Sequence, residues 1–252
     1  IFYWEYFHRL FGRIIGLVYL IPLVFFTFKK VFNKKMLLIF YFIFFLILLQ
    51  GIIGWYMVES GLTANTSVSH YRLSLHLLLA FVIISFLIWN YLNYKNNEEK
   101  IFFNTKPTLL KFLFLLILCQ IVIGAFVSGL DAGKIYQTWP LMGSSYVPND
   151  LALNSLMNLF SFNNHSLVQF YHRNLAYFLV SYVIVLTIYI YKKKLITLYK
   201  PIKILILFLF LQALLGIFTL MSNLNIYLAS IHQITSVLLV FSALNLYYLK
   251  AK

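Results

Sequence analysis

The chain has 252 residues and a net charge of +14, and 62% of its residues are hydrophobic while only 10% are charged. A soluble domain has about a quarter of its residues charged, so this composition excludes an ordinary soluble protein. Several apolar runs reach the roughly 20 residues that a helix needs to cross a hydrocarbon core of about 30 Å. They are apolar on every face, which predicts helices and not the alternating strands of a barrel.

The basic charge is concentrated in short segments between the apolar runs. Such a distribution is typical of the loops on the cytoplasmic side of a membrane, and it argues against a nucleic-acid partner. The single cysteine, Cys119, stands inside an apolar run. It excludes a disulfide within the chain and predicts a buried thiol without a chemical role.

Seven helical spans are predicted in chain order. They cover residues 7–28, 36–58, 71–94, 107–130, 168–191, 201–221 and 227–249. The longest stretch outside them is 131–167, and a connection of that length is usually functional or disordered. Its aromatic and methionine residues predict a packed lid near the membrane interface: Tyr136, Trp139, Met142 and Tyr146.

The orientation follows from the basic residues. Fifteen of the sixteen lysines fall on one side of the predicted spans. The other side holds Lys134 and all four arginines. The lysine side is therefore predicted to face the bacterial cytoplasm or the mitochondrial matrix. The chain's beginning and the 131–167 stretch are predicted to face the opposite compartment.

The sequence repeats internally, which predicts two pseudo-symmetric halves of an all-α polytopic membrane protein. The first half covers residues 1–106 and the second covers residues 107–252. A motif of glutamine followed four residues later by glycine occurs three times, at Gln50, Gln120 and Gln212. The small residue indicates close helix packing. The first half lacks a span matching 107–130, so an eighth helix is expected upstream of Ile1 unless this protein dispenses with it.

Four histidines are the candidate functional residues. Each lies near the end of a predicted span that faces away from the lysine loops, and they form repeat-related pairs: His8 and His76, His172 and His232. Ionisable groups inside spans are costly and often mark functional sites, and imidazole is a usual axial ligand of haem iron. The alternative for each one is a hydrogen-bonded interfacial residue. His70 and His165 do not share the pattern and are predicted to be surface residues.

The four arginines lie close in sequence to these histidines. They are Arg9, Arg13, Arg72 and Arg173. A guanidinium group forms a planar fork that suits carboxylates, so these residues are predicted to contact haem propionates. The alternative is that they only anchor the protein at the interface.

Glu5 precedes His8 by about one helical turn and is a candidate acid–base residue. The second half carries Gln169 at the corresponding place, which indicates that acid–base chemistry belongs to the first half. The alternative is a carboxylate that stabilises a positive helix N-terminus.

These residues and their neighbours resemble the haem A synthase family, especially its branch in alpha-proteobacteria and mitochondria. The resemblance is carried by EYFHRLFGR (5–13), QGIIGWYMVESGL (50–62), YRLSLH (71–76), GAFVSGLDAGKIYQTWPLMG (124–143), VQFYHRNLAY (168–177), LQALLGIFTL (211–220) and LASIHQ (228–233). It implies an eight-helix enzyme of two four-helix halves. It also implies oxidation of the C8 methyl group of haem O to the formyl group of haem A.

The resemblance assigns roles to individual residues. His8 and His76 would flank the substrate haem, His172 and His232 would ligate a haem b cofactor, and Glu5 would take part in catalysis. Haem O synthase as the substrate donor, an electron donor and membrane lipid are the implied partners, and a homo-oligomer is left open. The chain departs from the family pattern in its missing leading helix and in lacking the outer-loop cysteine pair of some bacterial members.

Two other classes of protein compete with this interpretation. A di-haem b electron carrier would hold two haems of one type and leave both chemically unchanged. A transporter built from repeats predicts helices broken near the membrane midplane, but these spans have little proline or glycine at their centres. The transporter is the less favoured of the two.

Overall fold

The structure, a computed structural model, describes residues 2–59, 68–102, 108–151 and 158–250. Seven α-helices run through these ranges. They are α1 (Phe2–Phe28), α2 (Lys34–Glu59), α3 (His70–Asn96), α4 (Thr108–Gly129), α5 (His165–Lys192), α6 (Tyr199–Met221) and α7 (Ile226–Lys250). Residues 60–67, the predicted start of the fourth span at residue 107 and part of the 131–167 stretch lie outside the described residues.

All seven helices are long and apolar enough to cross a membrane, which confirms the predicted spans to within a few residues. In lipid a helix satisfies its own backbone hydrogen bonds, so continuous apolar sequence forms continuous helix. Local capping interactions determine where individual helices begin and end. The Asn164 side chain accepts a hydrogen bond from the Leu167 amide at the start of α5, and Asn97 adopts a left-handed conformation (φ 50°) at the end of α3.

Helices α4 to α7 form a closed four-helix bundle. Each packs on the next, and α7 returns to α4. In the first half α1 packs on α2 and α2 packs on α3, in the order of α5, α6 and α7. None of the described residues of the first half takes the place that α4 has in the second.

The two halves share a core through α3, which packs on α4 and α7, while a smaller separate cluster lies within the first half. Trp89 of α3 is 2% exposed, and its ring contacts Tyr247 and Tyr248 of α7. Its indole N–H donates to the Lys100 carbonyl at 2.8 Å. The Lys100 ammonium lies 2.7 Å from Glu98 and 4.1 Å from the centre of the Tyr248 ring. The halves are therefore joined most firmly at the end remote from the histidines.

Two predictions about burial are wrong. Cys119 is exposed on the outside of α4, not buried. His70 is only 8% exposed. It is buried because Gly129, at the end of α4, has no side chain: a Cβ there would stand 2.8 Å from the His70 backbone. His165 is exposed, as predicted.

Candidate functional site

The first predicted histidine pair comes together between α1 and α3. His8 lies in the second turn of α1 and His76 lies in the second turn of α3, and their ring centres are 6.3 Å apart. The rings are inclined by 65°. His8 is exposed, whereas His76 is half-buried and its Nδ1 atom has no hydrogen-bond partner among the described residues.

This spacing fits two imidazoles that share one metal ion. A nitrogen–metal bond is about 2 Å long and the ring centre lies roughly 1 Å behind the nitrogen, so two rings on opposite sides of one ion have centres about 6 Å apart. No group of three or more His, Cys, Asp or Glu side chains suited to a metal ion occurs in the described ranges. Two neutral imidazoles without carboxylates suit an iron whose other positions a porphyrin fills.

The second predicted pair lies inside the closed bundle. His172 of α5 and His232 of α7 are close enough to interact electrostatically, and both are half-buried. The Nδ1 atom of His232 is buried without a hydrogen-bond partner among the described residues. The donor set is again two imidazoles, so a haem iron fits the residues here too.

Glutamine side chains hydrogen-bond to three of the four histidines, a feature that the sequence analysis does not predict. The amide nitrogen of Gln50 donates to the His76 carbonyl at 3.0 Å. Gln120 donates in the same way to His172 at 3.1 Å, and Gln212 donates to His232 at 3.0 Å. The threefold Gln-x-x-x-Gly spacing was the available signal, but it was interpreted as helix packing alone.

The first-half arginines and Glu5 lie on or near the helices that carry His8 and His76. Glu5 and Arg9 form an i,i+4 ion pair of 3.6 Å on α1, with about half of each side chain exposed. Arg13 is exposed on the same helix. Arg72 places its guanidinium group 4.9 Å from the centre of the Tyr56 ring of α2. Since α1 begins at Phe2, Glu5 lies within the helix and precedes His8 by three residues.

Arg173 is engaged with the outer loop (residues 131–151). Its guanidinium group donates to the carbonyl oxygens of Tyr136 and Thr138, both at 2.9 Å, and of Leu141 at 3.3 Å. Buried Gln169 also donates to the Tyr136 carbonyl, at 2.8 Å. The predicted propionate contact of Arg173 stays a prediction. In the structure its guanidinium group makes three hydrogen bonds that hold this loop on α5.

The described part of the outer loop is packed only in part, since Trp139 is 43% and Tyr146 is 47% exposed. Met142 is 2% exposed, and Gln137 donates to the Asn223 side chain in the α6–α7 turn at 2.6 Å. Asp150 accepts hydrogen bonds of 2.6 Å from both Tyr136 and Ser166. Burial raises the pKa of Asp150, but these two hydrogen bonds outweigh it and hold the pKa below its ordinary value. The same hydrogen bond to Asp150 raises the pKa of Tyr136.

The fold defines an all-helical integral membrane protein, and its two histidine pairs are a donor set that would fit haem iron. Sequence comparison identifies the family. Residues 1–244 match the family described as cytochrome oxidase assembly protein, and the chain belongs to that family.

Its relatives include three proteins named Heme A synthase. The protein from Pelagibacter ubique is 46% identical over 96% of this chain and 71% of its own length. The Wolbachia pipientis wMel protein is 41% identical over 95% of this chain and 68% of its own length. The Rickettsia prowazekii protein is 37% identical over 97% of this chain and 73% of its own length.

Proposed function

We propose that this chain is a haem A synthase: a membrane oxidoreductase that converts the C8 methyl group of haem O into the formyl group of haem A for cytochrome oxidase. The observation that carries the proposal is the His8–His76 pair, with ring centres 6.3 Å apart, in a chain 46% identical to a Heme A synthase. Two successive hydroxylations of the methyl carbon, each a two-electron oxidation that takes one oxygen atom from an external oxidant, give a gem-diol, and this gem-diol loses water to form the aldehyde.

In this proposal the first half binds the substrate. His8 and His76 hold the iron of haem O from opposite sides. Arg9, Arg13 and Arg72 lie on the α1 and α3 segments beside them and provide the positive charge that the propionates require. Glu5 lies three residues before His8 on the same helix and accepts a proton as the methyl group is oxidised.

The second half holds the cofactor. His172 and His232 are the ligands of a haem b, which supplies one-electron transfer when it is bound. Gln169 occupies the position that corresponds to Glu5, but its amide nitrogen is committed to the Tyr136 carbonyl. An amide in that place cannot act as a base, so the second half binds haem without acting on it.

The location of both sites follows from the distribution of charge. The histidines lie in the first turns of α1, α3, α5 and α7, away from the lysine-rich loops. The sites therefore face the periplasm of a bacterial cell or the intermembrane space of a mitochondrion. Haem O synthase is the proposed substrate donor, and a membrane or periplasmic reductant is the proposed electron donor.

The test is to produce the protein with a source of haem O, extract the haem and identify it by mass, for the wild type and for His172→Ala. Haem A from the wild type, with loss of haem b and of haem A formation in the variant, is the expected result. Haem b alone, in two equivalents and chemically unchanged, would replace the proposal with the di-haem b electron carrier.

A further inference from the structure

Each of the helices α2, α4 and α6 presents a glutamine and a glycine, four residues apart, to a histidine of the next helix. The three sets are Gln50, Gly54 and His76; Gln120, Gly124 and His172; and Gln212, Gly216 and His232. We call each glutamine–glycine pair a histidine seat. The seats recur in both halves of the chain, so the arrangement is not an accident of one contact.

The glycine of each seat leaves space for the imidazole ring. A Cβ atom at Gly54 would stand 2.9 Å from the Cε1 atom of His76. The equivalent distances are 3.0 Å from Gly124 to His172 and 3.2 Å from Gly216 to His232. Each is shorter than an ordinary van der Waals contact, so any larger residue would displace the ring or the helix.

The glutamine of each seat holds the backbone of the same histidine. Its amide nitrogen donates to the carbonyl of the histidine itself, at 3.0 to 3.1 Å. In two seats the same nitrogen also approaches the ring. Gln50 lies 3.3 Å from Nε2 of His76, and Gln120 lies 3.2 Å from Nδ1 of His172.

The amide oxygens of Gln50 and Gln120 are buried and have no hydrogen-bond partner in the described part of the chain. A buried acceptor without a donor is costly, and a metal-ligating histidine usually donates its second ring N–H to such an acceptor. Each of these two seats thus carries an unused acceptor on the same amide group whose nitrogen lies near an imidazole. In the third seat the amide nitrogen donates to the Thr235 hydroxyl as well as to the His232 carbonyl.

We infer that the three seats are positioning devices that hold His76, His172 and His232 in the orientation that binds haem iron; this inference rests on the proposed function. The glycine admits the ring, and the glutamine holds the histidine by its backbone carbonyl. A simple helix-packing role for the same residues would not make haem binding in one half depend on that half's own seat.

The test compares two glycines of α2. Gly54→Ala places a methyl group against His76, whereas Gly51→Ala, three residues away, meets nothing within 4 Å. We expect Gly54→Ala to weaken haem binding to the first pair by about tenfold or more, as second-shell changes around metal ligands do. Its low-spin electron paramagnetic resonance signal should fall or shift, and Gly51→Ala should match the wild type.

Two further variants keep the test decisive. Gln50→Leu removes the amide without adding bulk and should alter the same signal, so it decides the matter if Gly54→Ala does not purify as a folded species. Gly124→Ala should change the signal of the second pair and leave that of the first. Wild-type haem affinity and spectra in Gly54→Ala and Gln50→Leu together would overturn the inference.

The proposed function and this inference are tested by different outcomes. A wild type that binds haem at both pairs but forms no haem A from haem O would overturn the synthase proposal, while the comparison of spectra would still decide whether the seats position the histidines.

Discussion

At the scale of single residues, the proposed function gives Glu5 the most specific chemical role. Its carboxylate is paired with Arg9 at 3.6 Å and is about half exposed. An exposed ion pair contributes little to stability, so removing it should leave the fold intact. A functional change in a Glu5 variant would therefore report on chemistry at the site.

We predict that Glu5→Gln reduces haem A formation by about 100-fold or more while both histidine pairs keep their haem, because proton transfer by a positioned side chain contributes roughly 10²–10⁴-fold. The measurement is turnover of supplied haem O, with haem content determined on the same samples. Arg9→Gln breaks the same ion pair but keeps the carboxylate, so it should raise KM and change kcat little. A Glu5→Gln protein with wild-type turnover would remove Glu5 from the mechanism.

The contacts of Arg173 could not be predicted from the sequence. It directly follows His172, just as Arg9 follows His8, so the two are expected to act alike. The guanidinium group of Arg173 instead meets three carbonyl oxygens of the outer loop. Those carbonyls point at α5 because of the loop's backbone conformation, which no residue pattern in the sequence reveals.

At the scale of elements, the helices were predictable and their rotation was not. Lysine-rich segments between apolar runs predicted seven spans, and the structure confirms them. Each span is apolar on all sides, so the sequence contains little information about which side faces a neighbour. Cys119 was consequently predicted to be buried and is exposed. The burial of His70 depends on Gly129, a contact between distant parts of the chain.

The outer loop is the element whose order should depend on pH. The pKa of Asp150 is held below its ordinary value of 3.8 by hydrogen bonds from Ser166 and Tyr136, which outweigh the opposing effect of burial. A carboxyl group with a lowered folded-state pKa stabilises the fold above its ordinary pKa, and this contribution disappears as the pH falls through the lowered value.

We therefore predict that the outer loop loosens as the pH falls below about 4. Hydrogen exchange of residues 132–151, corrected for intrinsic rates, should accelerate several-fold, since the partly exposed network contributes roughly 1 kcal/mol. Asp150→Asn should loosen the loop already at neutral pH and weaken its pH dependence. Asp131→Asn is the control, because Asp131 pairs with Lys134 outside this network. Equal pH dependence in Asp150→Asn and the wild type would contradict the assignment.

At the scale of the whole molecule, the two halves have separate histidine pairs, and α3 joins the first half to the core of the second. The histidine pairs lie at one end of the helices, and the junction of α3 with α7 is strongest near Trp89, Lys100 and Tyr248 at the other end. The repeat in the sequence predicted the two halves, but it did not predict this junction. Trp89 has no equivalent in the repeat pattern, and its partners on α7, Tyr247 and Tyr248, lie 158 and 159 residues away in the chain.

We predict that Trp89→Ala destabilises both halves together. It removes a side chain that is 2% exposed and packed against α7, a change that costs about 3–5 kcal/mol in well-packed cores. Thermal unfolding in detergent should show one transition at a lower temperature, with haem lost from both pairs in that transition. Before unfolding, the spectra of both pairs should match the wild type, because the cavity lies far from the histidines.

Phe178→Ala is the matched control for the Trp89 prediction. It also removes an aromatic ring from a helix, but that ring is 50% exposed on the outside of α5, so the transition temperature should change little. Two separate transitions in Trp89→Ala, each accompanied by loss of one haem, would mean that the halves unfold independently. A single transition would mean that the core between α3 and α7 makes a substrate half and a cofactor half into one cooperative unit, which keeps their haem sites in a fixed relation to each other.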